Sequence, residues 1–97
     1  MGLIHYENDF DDLIKDTAIV DFYATWCGPC KMFGPVFEEV SQESDINFVK
    51  IDVDKDSEVA RRYGVMTIPT VILFKNGKEV KRNIGYMSKE ELIDFMK

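Results

Sequence analysis

The sequence predicts an α/β fold: a three-layer α/β/α sandwich with a mixed central sheet and a C-terminal antiparallel hairpin. β-prone and helix-like segments alternate along the chain, an order typical of strands joined through helices. Residues 18–24 (AIVDFYA) and 70–74 (TVILF) are almost continuously apolar, as expected of strands covered on both faces. Asn76-Gly77 follows the second segment and is a strong type I′ hairpin signal.

The first elements are short. Residues 3–6 predict a strand, and apolar residues spaced i, i+3, i+4 over residues 10–14 predict a helix capped by Asn8. Residues 18–24 predict the second strand, which contains one acidic residue, Asp21, among apolar neighbours. An acidic side chain inside a predicted core strand is a candidate functional residue.

The middle of the chain predicts a long helix, a strand and a short helix. Apolar residues recur at i, i+3, i+4 and i+7 from Phe33 to Val40, and Pro35 is expected to kink this helix without breaking it. Residues 48–54 alternate between apolar and polar, as in a strand. Asp56 or Ser57 is then expected to cap a helix that ends near Gly64.

The last third predicts two strands and a helix. Residues 70–74 and 79–84 flank the hairpin turn and are expected to pair antiparallel. Ser88 and Glu91 form a capping box ahead of the final helix. Strands joined through helices are expected to run parallel, and the hairpin adds an antiparallel edge.

The length and charge of the chain exclude some classes of function. The 97 residues are expected to form a single domain, residues 1–97, of ordinary globular composition. Eighteen acidic against twelve basic side chains give a net charge of −6, which argues against nucleic acid as a partner. No apolar run reaches the roughly 18 residues of a membrane span, and residues 1–10 lack the order of an export signal. We therefore expect a cytoplasmic protein without a membrane partner.

The two cysteines, Cys27 and Cys30, enclose Gly28 and Pro29. This spacing is used by structural disulfides, by metal sites and by redox couples. A disulfide that closes so short a loop adds little to the stability of the protein, and reducing surroundings disfavour a permanent disulfide. A zinc centre needs about four ligands, and His5, the one histidine, is far away in the sequence. The spacing therefore favours a redox couple and no metal.

Cys27 is predicted at the start of a helix, where free N–H groups and the helix dipole favour a thiolate. Cys30, one turn later, is then placed to attack a mixed disulfide on Cys27, and its proton needs an acceptor. A buried carboxylate has a raised pKa and can accept a proton near neutral pH, which suggests Asp21. The alternative is that Asp21 occupies a half-exposed strand face.

Together these features resemble thioredoxin over essentially the whole chain. The matching motifs are WCGPC at residues 26–30 after a strand carrying Asp21, the kinked helix, IPT at 68–70, FKNG at 74–77 and Gly85. The resemblance implies a thioredoxin-like fold and a protein-disulfide reductase. Tyr23, where many members have Trp, is a departure from the family pattern.

The resemblance implies thiol–disulfide exchange through a reversible Cys27–Cys30 disulfide, without a bound cofactor. Cys27 would be the nucleophile, Cys30 the resolving thiol and Asp21 the proton acceptor. The implied partners are disulfide-containing protein substrates and a thioredoxin reductase, either NADPH-dependent or ferredoxin-linked, with the protein acting as a monomer. It would keep cytoplasmic proteins reduced and supply electrons to reductive enzymes.

The resemblance also implies a substrate rim with a cis peptide bond before Pro69. The residues that match this rim are Trp26, Gly28, Pro29, Ile68, Pro69, Ile84, Gly85 and Tyr86. Trp26 and Tyr86 could equally be core residues. Lys50 matches a lysine near the buried aspartate, whereas the alternation of residues 48–54 would place it on a solvated face.

A binding module is the alternative from another class. In that hypothesis the surface docks a partner and the dithiol is incidental. Docking alone needs neither a resolving thiol nor a proton acceptor, so Cys30 and Asp21 favour turnover.

Overall fold

Apolar residues cover both faces of one five-stranded sheet in the computed structural model, which describes residues 2–97. The sheet order is β1-β3-β2-β4-β5, with β1, β3 and β2 parallel and β4 and β5 antiparallel to their neighbours. The mixed sheet and its helices confirm the predicted fold class. The elements are β1 (Leu3–His5), α1 (Phe10–Leu13), β2 (Thr17–Tyr23), α2 (Gly28–Ser41), β3 (Asn47–Asp52), α3 (Ser57–Arg62), β4 (Thr70–Lys75), β5 (Lys78–Ile84) and α4 (Lys89–Phe95).

Side chains alternate between two apolar clusters along the central strands. On β2, Val20 and Phe22 face the cluster that includes residues of α1 and α3, whereas Ile19 faces the cluster that includes residues of α2 and α4. On β3, Phe48 faces the cluster with residues of α2 and α4, and its neighbour Val49 faces the cluster with residues of α1 and α3. Both faces of the centre of the sheet are therefore covered, as the continuously apolar segments predict.

One predicted strand direction is wrong. β4 follows β3 through a helix but runs antiparallel to β2. Phe22 pairs both with Ile51, near the end of β3, and with Thr70, the first residue of β4. β4 therefore begins at the same end of the sheet at which β3 finishes. The connection does not cross to the other end because α3 has only six residues.

Local signals are otherwise reproduced, with one difference at α1. Asn76 and Gly77 both have positive φ, as a type I′ turn requires, and α2 continues past Pro35. The cap of α1 is Asp9, not Asn8; its φ of 63° is left-handed and its side chain makes no capping hydrogen bond. The helix has only four residues, so packing of Phe10 into the core stabilises it more than its cap does.

The capping box of α4 is complete, so its loss should lower stability. The Ser88 hydroxyl accepts a hydrogen bond from the N–H of Glu91 at 3.1 Å, and the Glu91 carboxylate accepts one from the N–H of Ser88 at 2.9 Å. We expect Ser88→Ala to lower the free energy of unfolding by about 1 kcal/mol in urea titrations. Ser57→Ala, at an exposed position in the first turn of α3, is the control and should change it by less than about 0.5 kcal/mol. Equal effects of the two variants would contradict a specific capping contribution.

Candidate active site

The two cysteines lie where β2 leads into α2. Cys27 is the N-cap of α2 and has an extended backbone, and Pro29 lies in the first turn, where a missing N–H leaves no helical bond unmade. Cys30 follows within that turn. The two residues are joined by a disulfide, with their Cα atoms 5.2 Å apart. The predicted position of Cys27 at a helix N-terminus is confirmed.

The surroundings of the Cys27 sulfur favour a negative charge in the reduced protein. The N–H of Cys30 donates to Cys27 Sγ at 3.2 Å, in the position of a capping hydrogen bond. This hydrogen bond and the helix dipole both stabilise a thiolate at Cys27. The carbonyl oxygen of Ile68 lies 3.9 Å from the same sulfur, within reach of a thiol proton once the disulfide is reduced.

Asp21 is buried on the face of β2 that α2 covers. It shares that face with Ile19, two residues earlier, and its side chain is fully inaccessible to solvent. Both of its carboxylate oxygens lack a hydrogen-bond partner among the described residues. Burial raises the pKa of Asp21 from 3.8 to about 7, and the positive charge of Lys50 opposes part of that rise. The alternative of a half-exposed Asp21 is therefore wrong.

Lys50 lies beside Asp21 and not on a fully solvated face. The two residues are directly opposite in the β2–β3 register. The Lys50 side chain is half-buried, and its ammonium lies 4.3 Å from the centroid of the Tyr23 ring. Lys50 and Cys30 also line the same cleft of about 440 Å³. Strand alternation misplaces Lys50 because α2 covers this face of β3 as well.

Most of the predicted rim is accessible around the disulfide, although Pro69 is buried and Ile68 and Gly85 are only partly exposed. The Ile68-Pro69 bond is cis, in agreement with the expectation from the resemblance. The N–H of Gly85 donates to the carbonyl of Pro69 at 2.8 Å, which ties the two rim segments together. The side chains of Trp26, Ile84 and Tyr86 are exposed, by 69% for Trp26, so the alternative that Trp26 and Tyr86 are core residues is wrong. Gly28 and Pro29 are exposed beside Cys27.

Asp54 is a site residue that sequence reasoning missed. The indole N–H of Trp26 donates to Asp54 Oδ2 at 2.8 Å and thereby fixes the orientation of the exposed ring. The one signal for it was topological, because parallel β2 and β3 end at the same edge of the sheet and Trp26 and Asp54 follow those ends. Met32 and Met66, also strongly exposed, lie two residues after Cys30 and two before Ile68, and were likewise missed.

The described residues carry neither a metal cluster nor a membrane-spanning helix. Within residues 2–97, no group of three or more His, Cys, Asp or Glu side chains is arranged to hold a metal ion. Over the same residues, no helix has the length and apolar character needed to cross a bilayer.

Comparisons with known proteins agree with this site. The thioredoxin family model matches residues 3–97. The thioredoxin of Mycoplasmoides gallisepticum is 51% identical over 92 residues, which cover 92% of either chain. That of Mycoplasma genitalium is 47% identical over 84% of this chain and 80% of its own length.

Solved structures show the same likeness. A mutant thioredoxin from Halobacterium salinarum has a TM-score of 0.92 at 35% identity, over 98% of this chain and 88% of that one. Schistosoma mansoni thioredoxin has a TM-score of 0.88 at 42% identity, over 98% of this chain and 93% of that one. With its Cys-x-x-Cys disulfide at a helix N-terminus, the chain belongs to the thioredoxin family of thiol–disulfide oxidoreductases.

Proposed function

We propose that this protein reduces disulfides in other proteins, with Cys27 as the attacking thiolate, Cys30 as the resolving thiol and Asp21 as the acceptor of the Cys30 proton. The observation that carries this proposal is the buried, unpartnered carboxylate of Asp21 on the strand that leads into the cysteine pair. A carboxyl group whose pKa is about 7 populates both protonation states near neutral pH. It can therefore accept a proton in one half-reaction and return it in the other.

The reaction divides into two displacements. The Cys27 thiolate attacks one sulfur of the substrate disulfide, a mixed disulfide forms, and the other substrate sulfur leaves as a thiolate that takes up a proton. Cys30 then gives its proton to Asp21 and attacks Cys27 Sγ, which releases the second substrate sulfur as a thiolate. Two electrons pass to the substrate, and the protein is left with the Cys27–Cys30 disulfide present in this structure.

The rim gives the substrate a place to bind. An extended substrate segment can pair with the backbone of Ile68, next to Pro69, because the Ile68 carbonyl lies close to the Cys27 sulfur. Exposed aromatic and aliphatic groups are typical of surfaces that bind partners transiently. The apolar contacts would come from Trp26, Ile84 and Tyr86, and close approach past Gly28, Pro29 and Gly85 is unhindered by bulky side chains.

A thioredoxin reductase, NADPH-dependent or ferredoxin-linked, would return two electrons to the disulfide, and no bound cofactor takes part. The protein would act as a cytoplasmic monomer, with residues 1–97 as a single domain, and would supply electrons to reductive enzymes. Membership of the thioredoxin family supports this setting.

Reduction of insulin disulfides tests the function. With dithiothreitol as electron source, we expect the protein to shorten the onset of turbidity several-fold, and the Cys27→Ser variant to leave the dithiothreitol rate unchanged. Acceleration by both proteins would contradict the role of Cys27. Acceleration by neither would favour the binding-module alternative, in which the same surface docks a partner without turnover.

A further inference from the structure

The Lys50 ammonium is held between an aromatic ring and a helix. On one side it lies 4.3 Å from the centroid of the Tyr23 ring, within the distance of a cation–π interaction. On the other side it approaches α2 at Gly34, where an added Cβ would lie 3.5 Å from Lys50 Nζ. Tyr23 is two residues after Asp21 on β2, so both side chains share the face that carries Lys50.

A lysine at the mouth of a cleft would otherwise extend its ammonium into water. Restraining a long, flexible side chain in one position costs conformational entropy. A cation–π interaction that is partly removed from water is comparable in size to that cost, so the Tyr23 ring offsets much of it. The position of the Lys50 charge therefore depends on the aromatic ring.

We propose that Tyr23 is a positioning residue: its ring holds the Lys50 ammonium beside Asp21 and so controls how readily Asp21 accepts the proton of Cys30. This inference rests on the proposed role of Asp21. If the ring is lost, the ammonium moves towards solvent, where its interaction with the carboxylate is screened within about 10 Å. The protonated form of Asp21 would then persist to higher pH, and less of the carboxylate would be present as an acceptor at pH 7.

Other charged groups lie near this cleft, and the experiment has to separate them from Lys50. Burial raises the pKa of the Tyr23 hydroxyl, so the ring stays uncharged through the neutral range. On β4, the residue opposite Asp21 is Val71, which is apolar. His5 lines the same cleft as Lys50, so the titrations are repeated with His5→Gln. The titratable side chains that line the cleft or face Tyr23, besides Asp21 itself, are His5 on β1, Lys50 and Asp52 on β3, Lys31 and Glu38 on α2, and Asp56 at the start of α3.

The test is a ¹³C NMR titration of the Asp21 carboxyl in the disulfide form of the protein. We expect Tyr23→Leu to raise the midpoint by about half a pH unit or more, because an opposite charge held close lowers a carboxyl pKa by about 1–3 units. Tyr23→Phe, which keeps the ring, should leave the midpoint unchanged. In a Lys50→Gln background, Tyr23→Leu should produce no further change.

Three results would overturn the proposal. These are an unchanged midpoint in Tyr23→Leu, the same rise in the Lys50→Gln background, and an equal rise in Tyr23→Phe, which would implicate the hydroxyl. If Tyr23→Leu does not fold, Tyr23→Met takes its place as a flexible side chain without a ring. The titration needs no substrate, so it remains decisive even if the protein fails to reduce insulin.

Discussion

Cys30→Ser will accumulate as a covalent conjugate with its protein substrates. Cys27 can still attack a substrate disulfide, but the serine hydroxyl cannot displace the substrate sulfur from Cys27. In the unmutated protein the resolving sulfur is in the same helical turn, with the two Cα atoms 5.2 Å apart. Well-oriented intramolecular groups reach effective concentrations of about 10⁵ M or more, so millimolar external thiols should resolve the conjugate at least about a thousandfold more slowly.

The conjugates are measured on non-reducing gels of a reducing lysate and mapped by mass spectrometry. The matched control is Cys27→Ser, in which the remaining Cys30 lacks the N-cap position and the backbone N–H that favour a thiolate at Cys27, and should capture little. Conjugates attached mainly through Cys30 would reverse the assigned roles. Absence of conjugates with Cys30→Ser, in a protein that reduces insulin, would show that Cys30 is not needed for release.

The fold was predictable where short-range interactions decide the structure. The type I′ turn at Asn76-Gly77 and the Ser88–Glu91 capping box depend on a few neighbouring residues, and both are present as predicted. The direction of β4 was not predictable in this way. It depends on where the connection through α3 ends in space, and a parallel and an antiparallel strand share the same apolar pattern over residues 70–74.

The same distinction between short-range and long-range interactions applies to the residues of the site. Cys27 and Cys30 are adjacent to a predicted helix start, and Asp21 is conspicuous as the acidic residue of an apolar strand, so local sequence was enough to make all three candidates. The position of Lys50 was ambiguous because the alternation of residues along one strand cannot show that α2 covers the face of β3 that carries Lys50. Asp54 was missed because its partner Trp26 is 28 residues away and only the assembled sheet brings them together.

Asp21→Asn will make the protein more stable and less active, and the gain in stability will depend on pH. In the folded protein the pKa of Asp21 is about 7, against 3.8 for an unperturbed aspartate. Between these values the unfolded chain has released the proton while the folded protein keeps it. The free energy of unfolding therefore falls as pH rises from about 4 to about 7, by about 4 kcal/mol in total.

Asparagine cannot ionise, so Asp21→Asn avoids this loss. We expect the variant to exceed the unmutated protein by up to about 4 kcal/mol in urea titrations at pH 8 and to match it near pH 4. Turnover of insulin at pH 7 should fall by about tenfold or more, because the acceptor for the Cys30 proton is gone. Asp45→Asn, at an exposed position, is the control and should show neither change.

Stability and turnover, measured together, distinguish the burial of Asp21 from its role in proton transfer. A stability difference that does not vary between pH 4 and pH 8 would mean that Asp21 is ionised in the folded protein like an ordinary surface aspartate, and the reason for assigning it the proton would disappear. A pH-dependent gain in stability with unchanged turnover would keep the buried carboxyl but transfer the Cys30 proton to another acceptor, such as water in the cleft. A gain in stability together with a loss of turnover is the one result that fits a buried carboxylate which lowers the stability of the fold and also accepts the Cys30 proton.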